Sequence, residues 1–135
     1  MRVTGIVLAL VTGLMPTATA HHSIAGMYDK DRRVTIEGVV REYRFVNPHP
    51  FVIVEVQNGG ASVAWQLELD NRHELVDVGM TAGTFRPGDR LVVTGSPARS
   101  QASSMYVWQL DRPVDGFRYE QIGTSPRVSR VRAER

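Results

Sequence analysis

Arg41–Val56, REYRFVNPHPFVIVEV, sets two apolar, β-prone runs on either side of an Asn-Pro-His-Pro corner. Upstream of the corner, Val34, Ile36, Gly38 and Val40 share one parity, while Tyr43 and Phe45 fall on the other. A change of face inside one strand is what a bulge or a glycine bend produces. One long bent strand is therefore predicted from Val34 to Val46. Asn47 and His49 each precede a proline and are pushed into extended conformations. Phe51–Gln57 is the second strand, apolar on both faces until Glu55, and Asn58-Gly59-Gly60 is a hairpin turn. Ser62–Asp70 alternates, with Val63, Trp65, Leu67 and Leu69 pointing inward.

Further along, Asn71 stands three residues before Glu74, a capping-box spacing. It predicts a short helix over Arg72–Val78 that stops at Gly79. Pro87-Gly88-Asp89 turns the chain into a fourth strand at Arg90–Gly95. The polar loop SPARSQASS, residues 96–104, leads to a fifth at Ser104–Asp111, with Tyr106, Trp108 and Leu110 on one face. Val114–Gln121 adds a short strand. Three strands, a short helix and two strands give a mainly β chain. The fold expected is a small five-stranded OB-like barrel, its one short helix lying between strands three and four. A small sandwich is the alternative, and absence of the helix would favour it.

The 135 residues have room for one domain. Residues 1–20 read as a signal peptide: Arg2, an apolar Ile6–Met15, the breaker Pro16, and Ala18-Thr19-Ala20 before His21. The apolar run is shorter than the ~20 residues a membrane span needs, so no stable membrane span is expected after cleavage. Residues 21–33 are an N-terminal arm, 34–121 the barrel, and 122–135 a basic disordered tail. The formal net charge of +2 comes from that tail, which holds Arg127, Arg130, Arg132 and Arg135. Without it, acids outnumber bases over the fold, which argues against a nucleic-acid partner. With no cysteine, thiolate chemistry and cysteine-bound metal sites are excluded. The expected location is periplasmic or secreted.

Several of these segments also resemble an uncharacterised exported bacterial family, domain of unknown function 6152. The resemblance rests on HHSIAGMYD after the signal, TIEGVVREYRFVNPHP, VAWQLEL, and FRPGDRLVVTGSPA, over roughly residues 21–110. It implies an exported OB-like fold and supplies no activity.

Three of the four histidines mark the place for chemistry. Cleavage before His21 leaves a free α-amine beside that residue's own imidazole, a chelating pair. His49, restrained by two prolines, is the natural third donor, and His22 can join or replace one of them. Nitrogen-rich sets of this kind suit copper(II). A closed zinc site usually wants four ligands including cysteine, so zinc ranks lower. The bland reading keeps His49 as a packed turn residue and leaves His21 and His22 solvated. His73 reads as solvent-facing. The alternative function is a metal-independent module for a small ligand or protein, using Tyr43, Asn47 and Arg99 on the barrel face and its loops. No nucleophile elbow, zinc-protease helix or phosphate loop is present. Glu55 and Glu68 could pair across the hairpin as an acid and a base, yet outward strand carboxylates are usually solvated. A binding protein is favoured, and the question of catalysis stays open.

Overall fold

The computed structural model describes residues 24–130. A short helical turn, α1 (Ile24–Met27), opens an arm that leads into β1 (Val34–Arg44), β2 (Phe51–Asn58) and β3 (Ala61–Glu68). Helix α2 (Arg72–Asp77) follows, then β4 (Arg90–Pro97), β5 (Ser104–Arg112), β6 (Phe117–Ile122) and β7 (Ser125–Arg130). The sheet order is β3-β2-β1-β4-β5-β6-β7, and a parallel β3–β5 pairing closes the first five strands into a barrel. That closure is short: Gln66, Leu67 and Glu68 face Ser104, Met105 and Tyr106. Barrel closure, order and helix position all match the expected OB-like fold.

The bent first strand is present. Between Val40 and Glu42 the β1–β2 register slips, leaving Arg41 as the extra residue. Ile36 and Val40 therefore face inward with Val52 and Val54, while Tyr43 packs on the barrel's flank. Gly38 is required at this bend, because a Cβ there would lie 2.9 Å from the Glu55 carbonyl oxygen. The hairpin between β2 and β3 turns on Gly59 and Gly60, both with positive φ, as a two-residue turn demands. Leu67, Leu69, Leu91, Val93, Met105 and Leu110 fill the interior and are essentially inaccessible to solvent.

Helix α2 seals one end through Leu75. The Asn71 side chain accepts from the Glu74 amide at 3.0 Å. The reciprocal half of the expected capping box is not made, since the Asn71 amide donates instead to Asp70 at 2.6 Å. One Glu74 carboxylate oxygen is left buried without a partner. At the other end, Gly79 takes a positive φ, its amide bonds Val76 O, and the Met80 amide bonds Leu75 O. Those two bonds are the Schellman pattern. Asn71→Ala is expected to cost about 1 kcal/mol in urea unfolding, the usual worth of an N-cap.

Two expectations need correction. Tyr106, Trp108 and Leu110 do not share a face. A register slip at Thr94/Gly95 pairs Gly95 with Val107 and Thr94 with Gln109. The extra residue, Trp108, lets Val107 and Leu110 both enter the core. Tyr106 and Trp108 stay together on the outer side, their ring centroids 5.7 Å apart. The second correction concerns the tail, where residues 125–130 form β7 against β6. Pro126 is buried there and Val128 packs on the core. Proline is compatible with a strand only at an edge, and β7 is the last strand of the sheet.

Candidate functional site

The corner between β1 and β2 is held by backbone bonds on both sides of His49. Leu69 N donates to Pro50 O and Arg72 N to Pro48 O, each at 2.9 Å. The Asn47–Pro48 peptide is cis. These bonds fix the loop against the end of β3 and the start of α2. The imidazole, about 30% exposed, is fixed in turn. Its Nδ1 lies 3.0 Å from Leu69 O and 3.5 Å from Glu68 Oε1. A carbonyl oxygen only accepts, so in the neutral ring Nδ1 carries the proton and Nε2 keeps its lone pair. Metal-binding histidines as a rule donate their other ring N–H to a carbonyl or carboxylate in this way.

Glu68 was expected to be solvated or paired with Glu55, and it is neither. Register places it opposite Phe51, while Glu55 faces Ala64 and binds Arg41 and Ser62. The N-terminal arm covers Glu68. Tyr28, 3% exposed, donates its hydroxyl to Glu68 Oε2. Burial first, and then Glu68, push that phenol well above the ordinary tyrosine range. The arm is tied down by a Tyr28–Ala98 bridge and by backbone bonds from Asp29 N to Pro97 O and Arg99 N to Met27 O. The Tyr28 ring rests 5.9 Å from Tyr106, centroid to centroid.

Arm, corner and outer face of β5 border an open pocket of about 570 Å³, lined by Ile24, Ala25, His49, Asp70, Trp108 and Gln121 among others. Asp70 is a buried carboxylate. It accepts from the Asn71 amide and, at 2.7 Å, from Gln121 Nε2. Tyr119 OH donates to Gln121 Oε1 at 2.8 Å, so the β6–β7 hairpin is locked to the pocket wall. Trp108 donates to Ser96 Oγ at 2.8 Å, and the Arg33 guanidinium lies 4.5 Å above its ring.

Of the metal- and ligand-binding candidates read from sequence, only His49 lines this pocket among the described residues. His21 and His22 lie outside them. Tyr43 packs edge-on against Phe85 at 5.1 Å, its hydroxyl buried without a hydrogen-bond partner; burial pushes that phenol up. Asn47 is exposed in the corner loop. Arg99 reaches Asp29 at 3.6 Å, bracing the arm. No hydrogen bond or ion pair joins Tyr43, Asn47 and Arg99 among the described residues. His73 is exposed, 3.8 Å from Asp77. Sequence reading missed Asp70 and Gln121, and it missed that Glu68 meets Tyr28 and His49. The polar ending of β3, LELD, was the available signal, since two acids next to the Pro-His-Pro corner must be compensated if covered.

No group of three or more histidines and carboxylates is close enough to hold a metal ion among the described residues. No described helix is long and apolar enough to cross a membrane. The model of a family described as a family of unknown function, DUF6152, matches residues 9–105. No curated protein matches the chain.

Proposed function

We propose, from the premise that the chain belongs to the family of unknown function DUF6152, that it is an exported, non-enzymatic metal-binding domain. Its metal is a transition-metal ion, copper(II) first, held by His49 and the amine and imidazole of a mature N-terminal His21. The observation that carries this reading is the pocket's make-up: it brings His49 together with Ile24 and Ala25. His21 is three residues before Ile24 in the chain, a reach of about 10 Å at full extension, so the two donors can converge. The bond from His49 Nδ1 to Leu69 O at 3.0 Å supports the reading further, because it leaves Nε2 free to bind. Three nitrogen donors suit copper(II), with His22 available as a fourth. The buried carboxylate of Asp70 adds negative charge at the pocket wall. The domain would then serve as a carrier, buffer or sensor in the periplasm.

Calorimetric titration with copper(II), on protein processed to begin at His21, tests the proposal. One equivalent should bind, and His49→Ala should weaken binding by about 100-fold, or roughly 2.7 kcal/mol. Unchanged affinity in His49→Ala would remove the corner from the site.

The aromatic wall of Tyr106 and Trp108 favours a second reading, a small organic ligand in the same pocket with no metal. Binding of such a ligand would survive exhaustive chelation, and Trp108→Ala would abolish it.

A further inference from the structure

Glu68 has one carboxylate and two different neighbours. Oε2 takes the Tyr28 hydroxyl of the arm, while Oε1 approaches His49 Nδ1 of the β1–β2 corner at 3.5 Å. Arm and corner are separate in sequence, and Glu68, on β3, is the group that touches both. We propose that Glu68 is a positioning residue that couples seating of the N-terminal arm to the orientation and tautomer of the His49 ring. The inference deepens the metal reading above and rests on the same corner, since the arm that Glu68 holds is the one that leads back to His21.

A carboxylate beside Nδ1 favours the proton on that nitrogen and adds to the pull of Leu69 O, at 3.0 Å. It thereby keeps Nε2 bare, as a metal ligand must be. The same carboxylate is a charged acceptor for a buried phenol. Hydrogen bonds to a charged acceptor are stronger than neutral ones, which helps a four-residue helical turn stay seated. Undocking the arm exposes Glu68 to water and weakens its hold on the imidazole. A metal ion bridging His21 and His49 would need both ends in place, so each event favours the other.

The test begins with metal-free protein labelled with nitrogen-15 at histidine. At a pH where the ring is neutral, wild-type His49 should show the Nδ1–H tautomer. Glu68→Gln, nearly isosteric and expected to leave the unfolding midpoint within a few degrees, should shift the ring toward the Nε2–H form. Tyr28→Phe should shift it the same way but less, and should speed hydrogen exchange at the Asp29 and Arg99 amides. A tautomer unchanged in both variants would overturn the coupling, whatever copper does. Copper(II) alone is then titrated, and Glu68→Gln should bind about 10-fold more weakly, the usual cost of losing a carboxylate that orients a ligand histidine. A tautomer response in a wild-type protein that binds no copper would sink the metal reading and leave the coupling standing.

Discussion

Gly95→Ala is expected to destabilise the protein by about 3 kcal/mol, a large share of a small domain's total stability. Gly95 sits in β4, a central strand that pairs with β1 on one side and β5 on the other. At that point β5 bulges, and its backbone comes so close that a Cβ would overlap the Tyr106 carbonyl oxygen. The Met105 sulfur would be only 2.7 Å away. A flexible side-chain end can move aside; a carbonyl inside a ladder can do so only if the strands part. The register of β5 would then be lost, and with it the outward placement of Tyr106 and Trp108. Gly83→Ala is the control, because its Cβ meets only Thr81 Oγ1, at 3.7 Å. Urea unfolding of the two variants should separate them clearly, and equal midpoints would contradict the packing argument.

Arg112→Ala should cost a similar amount, about 3 kcal/mol. The guanidinium is mostly buried, with 13% of its side chain exposed. It donates to Thr84 O at 2.7 Å, Asp89 Oδ2 at 2.8 Å and Asp115 at 2.9 Å. It also lies against the rings of Phe85 and Phe117. Removing it takes the guanidinium from Asp89, leaves Asp115 with Arg130 alone and takes the donor from Thr84 O. Arg127→Ala is the comparison, since its guanidinium is exposed where it meets Glu120 and surface pairs contribute about 0–1 kcal/mol. A pH signature follows from the same cluster. Hydrogen bonds from Arg112, and then from Arg130, hold the Asp115 carboxyl well below the usual carboxylate range. A carboxyl depressed in the folded state contributes stability that is fully present above its unfolded pKa of about 4. That contribution is lost as pH falls from there toward the folded value. Arg112→Ala should therefore flatten the loss of stability below about pH 4, and an unchanged acid limb would contradict the assignment.

The barrel itself was legible because its signals are local. The parity switch before Arg41, the glycine pair of the β2–β3 turn and the Asn71 cap each depend on a few neighbouring residues. What covers an outward face is a tertiary matter that period-two alternation cannot carry. Glu68 alternates outward as a solvated acid would, yet the arm lies over it. Trp108 reads as sharing a face with Tyr106 and Leu110 until a one-residue bulge, set by Gly95, moves Leu110 into the core and leaves Trp108 outside. β7 was hidden by its arginines and by Pro126, which look like a solvated end and become an edge strand only because β6 is there to pair with. His49 was readable from its flanking prolines. Its partners were not, since they come from β3 and the arm.

Under the proposal, a free amine at His21 and the His49 imidazole hold one metal ion. The most direct measurement compares copper(II) binding by protein whose mass confirms a start at His21 with protein carrying one additional residue before it. The expected result is one tightly bound equivalent with a nitrogen-rich axial paramagnetic resonance spectrum in the first, and binding weaker by at least about 100-fold in the second, because the extension removes the five- or six-membered chelate. Equal affinity in the two, or no binding by the protein that begins at His21, would contradict the claim.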